Sequence, residues 1–241
     1  MPVDEAPKPQ VHGRSFGAEF LLIVVSILAA FALQAWWSAR VEREETHARL
    51  VTLRDEFEAT RADLAREAGR LDSVRSAIAG LLGNLGPTVP LVSIDSLNAS
   101  LDRSFRTSTI ELRDGALQAL LASGQLAAIE DPELTTLLAA WPSDVARLRT
   151  KSSMLEENRE IVIGYLQDRI STLQIAEKTG QMTAYPTSRF KGDPAGVQRD
   201  MKVEGLVGNR GMLVEDTDEI IKTLDERAQT ALRLIDQALT R

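Results

Sequence analysis

The N-terminal part of the chain is apolar on every side over one uninterrupted stretch. Residues 20–37 are eighteen positions without a charged side chain, and two of them are polar. A helix of that length spans roughly 27 Å, close to the hydrocarbon thickness of a bilayer. Trp36 and Trp37 then fall where a membrane interface would lie, and Arg40 follows them. The pattern predicts a transmembrane helix over residues 16–39.

Two alternatives fit this apolar stretch less well. A secretory signal usually has a shorter apolar core and ends in small residues, whereas cleavage after Ala39 would place Trp37 three residues before the cut. A buried helix of a soluble bundle is seldom apolar on every face for so long. We therefore expect a retained single-pass anchor. Its lipid-facing side chains are predicted to be Phe20, Leu21, Leu22, Ile23, Val24, Val25, Ile27, Leu28, Phe31, Leu33, Trp36 and Trp37.

Beyond Arg40 the chain changes to a seven-residue hydrophobic repeat. Large apolar side chains recur every seven residues, and the alternate positions three further on hold Leu53, Thr60, Glu67, Val74 and Leu81. No proline occurs between Pro9 and Pro87, so we expect the transmembrane helix to continue through residues 40–82. This spacing predicts a helix with one apolar seam, which is a candidate interaction surface. The seam residues are Leu50, Phe57, Leu64, Leu71 and Ile78.

Two further long helices are predicted downstream. Asp131 is a good N-cap and Pro132 suits a first helical position, and apolar residues then alternate four and three apart over residues 132–178. A similar alternation predicts a helix over residues 214–240. The segment between them, residues 180–211, is rich in glycine and proline and is predicted to be a flexible connector.

Together these elements define an all-α protein. Short helices are expected near residues 93–103 and 113–123, and with the long helices they make an antiparallel, coiled-coil-like helical bundle. The predicted organisation is a disordered tail over residues 1–15, the transmembrane helix, and a soluble bundle domain over residues 40–241. The tail contains three prolines and is too short to fold into an output domain.

Polar side chains interrupt the predicted seams at Glu67, Ser152 and Arg159. They either set the register of the helices or mark where the bundle opens to water, and we favour the second interpretation. Arg159 and Arg169 fall at inward positions of the second long helix. They are the residues that a pocket for a charged ligand could use, although long arginine side chains also reach the surface from such positions.

Composition narrows the chemistry. The net charge of −7 makes nucleic acid an unexpected partner, and the absence of cysteine excludes disulfides and thiolate sites. Glu44 and His47 form one Glu-x-x-His motif, whereas a di-iron bundle needs two. The glycine-rich residues 205–211 lack the Gly-Lys-Ser/Thr of a phosphate loop and are predicted to be a flexible turn. We find no catalytic constellation, cofactor site or metal site, and expect a protein that is not an enzyme.

Two segments carry a family resemblance. GAEFLLIVVSILAAFALQAWW, residues 17–37, and LLASGQLAAIEDPELTTLLAAW, residues 120–141, resemble a large family of uncharacterised bacterial single-pass membrane proteins, a domain of unknown function with an N-terminal anchor and a helical body. The resemblance implies a plasma-membrane protein whose body lies outside the cytoplasm, and it implies no activity or catalytic residue. The anchor positions that align are Glu19, Leu22, Val24, Val25, Ile27, Ala32, Leu33 and Trp36.

The charges that flank the anchor favour the opposite orientation. Lys8 and Arg14 precede it, and four arginines follow it closely, so the positive-inside rule favours a cytoplasmic body. Long domains are translocated largely regardless of flanking charge. The sequence therefore predicts a bacterial inner-membrane protein and leaves both orientations open, with the resemblance favouring an extracytoplasmic, periplasmic body.

Two functional hypotheses follow. The first is a non-enzymatic scaffold whose seams or connector bind another protein or a second copy of the chain. The second is a ligand-sensing domain in which a small molecule enters between the helices and a membrane partner responds to their shift. A membrane-bound hydrolase that uses carboxylates of residues 180–211 is a more distant third.

Overall fold

A computed structural model describes residues 16–107, 110–178, 184 and 186–240. These described residues form seven α-helices and one short 3-10 helix, with no strand among them, so the predicted all-α class is confirmed. The predicted tail over residues 1–15 lies outside the described residues. The helices are α1 (Phe16–Leu82), α2 (Ile94–Ser104), α3 (Gly115–Ala122), α4 (Pro132–Leu166), α5 (Thr172–Lys178), α6 (Pro194–Gln198) and α7 (Met201–Leu239), and the 3-10 helix is Gln125–Ala128.

The chain divides into two units between Arg49 and Leu50. The N-terminal unit contains the one helix of the described residues that is long and apolar enough to cross a membrane, judged by length and composition. None of its most apolar window is buried inside the protein. Eleven of the twelve predicted lipid-facing side chains are exposed, and Val24 is half-buried. A core helix of a soluble bundle would instead bury one face, so this exposure favours the membrane interpretation.

The predicted helix over residues 40–82 is confirmed, because α1 is a single helix from Phe16 to Leu82. In the second unit, the apolar residues that recur every seven positions along α1 are buried. The five seam residues are at most 6% exposed, and all belong to the hydrophobic core of that unit. The seam is therefore occupied by other parts of the same chain.

Ion pairs show that α7 runs antiparallel to the part of α1 that belongs to the second unit, residues 50–82. Arg54 Nε lies 3.0 Å from Asp236 Oδ1, and Arg75 Nε lies 2.6 Å from Glu215 Oε1, so residues far apart on α1 meet residues in reverse order on α7. Arg61 and Asp225 form a pair between these two levels at 2.7 Å. Exposed pairs of this kind contribute little stability each, but they fix the register of the two helices.

Helix α4 is antiparallel to α7 and therefore parallel to residues 50–82 of α1. Lys151 pairs with Asp216 at 2.7 Å, and Glu133 lies 3.6 Å from Arg233 near the other end of both helices. Asp131 accepts hydrogen bonds from the first backbone N–H groups of α4, as its predicted capping role requires.

The chain between α1 and α4 runs back along the bundle as an interrupted helix. Helix α2 begins near the end of α1. Helix α3 begins beside Glu56, whose carboxylate accepts hydrogen bonds from Ala116 N at 2.7 Å and Leu117 N at 3.1 Å. Glu56 thus supplies the N-terminal cap that Asp114, without a side-chain capping bond, does not. The second unit is a helical bundle in which α1, α4 and α7 supply long helices, and α2 and α3 together form a fourth, interrupted one.

The predicted end of the second long helix is wrong. Helix α4 ends at Leu166, and residues 172–178 form the separate helix α5. A turn joins them, in which Ile170 is buried and its N–H donates to Leu166 O. The apolar spacing continues across this turn, so periodicity alone did not reveal it.

The predicted start of the third long helix and the predicted connector are also corrected. Helix α7 begins at Met201 rather than residue 214, and α6 lies within the supposed connector. The glycine-rich residues 205–211 are helical, so the predicted flexible turn is wrong. Asp200 caps α7 by accepting a hydrogen bond from Lys202 N, and tertiary burial of one helix face outweighs the weak helix propensity of glycine. The buried side chains on this first part of the face are Val203, Val207, Arg210 and Val214.

Candidate functional site

The candidate site surrounds the described residues between α2 and α3, residues 105–107 and 110–114, which we call the helix break. Helix α2 ends at Ser104, and the last carbonyl groups of a helix have no intrahelical N–H partner. The residues at this end are largely enclosed, because Ser104 and Phe105 are buried. The carbonyls of the break therefore require donors from elsewhere in the chain.

Arg210 of α7 provides those donors. Its guanidinium donates to Arg106 O at 2.8 Å, to Ser104 O at 3.3 Å and to Leu155 O on α4. The side chain is 1% exposed, and its Cζ lies 5.5 Å from the centroid of the Phe105 ring. One buried arginine thus joins α2, α4 and α7 at the helix break.

The Arg210 side chain carries its charge at neutral pH. Burial lowers its pKa to about 10, partly offset by the nearby Glu156 carboxylate, and the Arg159 charge lowers it further. The pKa of Glu156 is itself lowered, chiefly by a hydrogen bond from Thr107 and then by Arg159 and Arg210, against the effect of desolvation. The helix break therefore has a permanent buried positive charge beside an ionised carboxylate.

A cavity of about 420 Å³ opens on one side of the helix break, between α1, the end of α2 and α4. We call it cavity A. Its apolar lining includes Leu71 and Leu155, which are 5% and 7% exposed. Its charged lining contains one acid, Glu67, and the arginines Arg66, Arg70, Arg103 and Arg106.

A second cavity, cavity B, has a volume of about 510 Å³ and lies between α2, α4 and α5. Leu101, Val162 and Leu166 contribute to a mainly apolar lining, and Arg159 is one of its few charged residues. Arg106 and Thr107 line both cavities, so the helix break separates them. Both volumes fall within the range of ordinary small-molecule sites, roughly 300 to 1,000 Å³.

The polar seam positions predicted from the sequence all lie at these cavities. Glu67 and Ser152 line cavity A and Arg159 lines cavity B, a placement that favours the interpretation that they mark openings of the bundle. Arg169 belongs to neither cavity. It pairs instead with Asp200, next to Tyr165.

Several buried polar atoms near the break have no hydrogen-bond partner among the described residues. They include Ser104 Oγ at the end of α2 and both amide atoms of Asn158, which is 3% exposed on α4. Buried polar groups of native proteins are almost always paired with protein, water or ligand. Neither Ser104 nor Asn158 lines cavity A or cavity B, so these atoms are not part of the cavity linings.

The sequence pattern did not single out Arg210 or the four arginines of cavity A. Arg210 was assigned to a flexible turn, although its spacing from Val203, Val207 and Val214 is that of a helix face and was the available signal. The four arginines have no distinctive sequence context, because three of them lie next to acidic or polar residues and Arg70 lies between Gly69 and Leu71. Only the fold brings those from α1 and α2 to one cavity.

No cluster of three or more histidine, aspartate or glutamate side chains suited to a metal ion occurs among the residues that the structure describes. Glu44 of the Glu-x-x-His motif pairs with Arg40 at 3.1 Å, one turn away on α1. The expectation that the protein lacks catalytic, cofactor and metal sites stays a prediction.

The chain was compared with protein-family models, curated proteins and solved structures, and none of them matches it. The resemblance of residues 17–37 and 120–141 to an uncharacterised membrane-protein family therefore stays a prediction.

Proposed function

We propose that the protein is a membrane-anchored, non-enzymatic module that binds a small organic molecule at the helix break. The observation that carries this proposal is the pair of cavities, A and B, on either side of Arg106 and Thr107. Binding there would contact α1, α2, α4 and α5 at once. A guest molecule could thus change the relative positions of helices, which a membrane partner would sense.

The competing scaffold hypothesis placed docking either at the apolar seams or at the connector. The seam residues Leu50, Phe57, Leu64, Leu71 and Ile78 are buried in the core of their own unit, so they offer no free surface to another protein. This burial favours ligand binding over docking at the seam.

A pair of probes of nearly identical shape tests whether cavity A binds small molecules. The full chain would be reconstituted in phosphatidylcholine nanodiscs and titrated calorimetrically with 2-naphthoate and with 2-naphthamide, with empty nanodiscs as the reference. We expect at least one probe to bind. Ser152→Phe, which fills cavity A, should weaken that binding by about tenfold, since the apolar contact area is lost to the introduced ring.

The matched control is Ser153→Phe. Ser153 is the next residue on α4, is exposed and does not line either cavity, and both serines donate a hydrogen bond to a carbonyl one turn earlier. The control should bind as the unmodified chain does. Absence of binding by both probes, or equal binding by the two phenylalanine variants, would contradict the proposal.

We further propose that the anchor lies in the plasma membrane of a bacterium and that the body is extracytoplasmic. The exposed apolar window of α1 and the resemblance of residues 17–37 support this. Fusions after Arg241 to alkaline phosphatase, which is active outside the cytoplasm, and to green fluorescent protein, which fluoresces inside, measure the orientation. We expect high phosphatase activity and no fluorescence. The reverse would place the body in the cytoplasm, as the arginines after the anchor favour.

A further inference from the structure

The arginines of cavity A come from two different parts of the chain. Arg66 and Arg70 lie on α1, Arg103 lies in the last turn of α2, and Arg106 lies just after α2 in the helix break. A single acidic residue, Glu67, lines the same cavity, so positive charge dominates the lining. Arginines that converge on one concave site from separate helices are the arrangement that recognises carboxylate, sulfonate or phosphate groups.

Three of these arginines form ion pairs within one helical turn, in which the arginine is exposed and the carboxylate is mostly buried: Arg66 with Asp63, Arg70 with Glu67 and Arg106 with Asp102. Arg70 pairs with Glu67 at 3.1 Å and Arg106 pairs with Asp102 at 2.9 Å, while these two arginine side chains remain 56% and 62% exposed. Because each guanidinium is exposed and has five N–H donors, an incoming anion can share the arginine with its partner carboxylate without displacing it.

Arg103 is the most available of the four. Its Nε donates to Ala99 O at 3.1 Å, and it forms no ion pair with an acid among the described residues. On the opposite wall, the carboxylate of Glu67 is nearly buried and is paired with Arg70. An anionic group is therefore favoured on the α2 side of the cavity and disfavoured beside Glu67.

The end of α2 would ordinarily oppose an anion, because the C-terminus of a helix carries partial negative charge. Here the carbonyl groups of Ser104 and Arg106 are already bound by the Arg210 guanidinium. That buried cation offsets the helix dipole at the point where Arg103 and Arg106 project. The apolar lining of cavity A includes the buried side chains of Leu71, Val74 and Leu155.

We infer that cavity A binds an amphipathic organic anion, with its acidic group held by Arg103 and Arg106 and its apolar part against Leu71, Val74 and Leu155. This inference rests on the proposed ligand-binding function and specifies its ligand class. The anionic group can be a carboxylate, a sulfonate or a phosphate ester, since the guanidinium fork suits all three.

The same nanodisc titration tests the inference through the ratio of the two probe affinities. The two probes differ in having a carboxylate or a neutral carboxamide on the same ring system. We expect 2-naphthoate to bind about tenfold more tightly than 2-naphthamide at low salt, and the preference to shrink as salt screens the charges. In the double variant Arg103→Gln and Arg106→Gln, the preference should disappear while 2-naphthamide binding is unchanged.

The control double variant is Arg147→Gln and Arg199→Gln, which removes two exposed arginines outside both cavities. It should keep the preference for the carboxylate. Equal affinities of the two probes, or a preference that survives in the Arg103 and Arg106 double variant, would overturn the inference and leave the proposed function intact. Failure of both probes to bind would overturn both.

Discussion

Replacing Arg210 with alanine is expected to lower the free energy of unfolding of the body by about 3 kcal/mol. The truncation removes the donors for the carbonyls of Ser104 and Arg106 and an additional bond to Leu155 O within α4, and it leaves a void between α2, α4 and α7. Leaving buried carbonyls unpaired costs about 1 to 3 kcal/mol each, and relief from burying a charge offsets part of this cost. The measurement is chemical denaturation of the full chain in detergent micelles, followed by circular dichroism.

Two further variants separate the possible causes. Arg199→Ala removes an exposed arginine just before α7 and should change the unfolding free energy by less than about 0.5 kcal/mol. Arg210→Met fills much of the same volume without any donor, so a loss close to that of Arg210→Ala would assign the effect to the hydrogen bonds. If Arg210→Ala unfolds like the unmodified chain, the guanidinium does not stabilise the helix break.

Replacing Phe57 with alanine should cost about 3 to 4 kcal/mol of unfolding free energy. The Phe57 ring meets the Trp141 indole edge-on, with centroids 4.8 Å apart and planes inclined by 67°, and each side chain is 2% exposed. The loss combines removed apolar burial, the cavity left behind and the ring contact between α1 and α4. The same denaturation experiment measures it, and the near-ultraviolet dichroism of Trp141 should weaken as its packing loosens.

Val51→Ala is the control on the same helix. Val51 is 38% exposed on the outer face of α1, so its truncation should cost less than about 0.5 kcal/mol. A Phe57→Ala chain as stable as the Val51→Ala chain would mean that the contact between Phe57 and Trp141 does not stabilise the body.

The helix break shows why the candidate site was harder to predict than the fold. The all-α class could be predicted because apolar residues recur three, four and seven positions apart. Helices α1 and α4 bury the positions that this spacing selects. The break depends instead on Arg210, which is more than a hundred residues away from Ser104 in the chain. No local pattern around Ser104 or Arg106 indicates that their carbonyls will meet a buried guanidinium.

Helix ends show the same limit at smaller scale. The start of α4 was predictable, because Asp131 and Pro132 supply a capping side chain and a suitable first residue within the segment itself. The segment around α3 does not by itself determine where that helix starts, because its capping carboxylate belongs to Glu56 on another helix. The early start of α7 was missed because glycines lower local helix propensity, and only burial against the other helices overcomes this.

The sequence by itself determined the all-α class, the apolar N-terminal helix and the buried seam, because each follows from the side-chain spacing along one helix. Only the tertiary structure decided which polar seam residues line cavities and which arginines line the same cavity. Those features depend on the packing of separate helices, with the donors and acceptors of the helix break contributed by residues distant in sequence. The physical reason is that helix periodicity is a local property, whereas the pairing of buried charge and carbonyl groups is not.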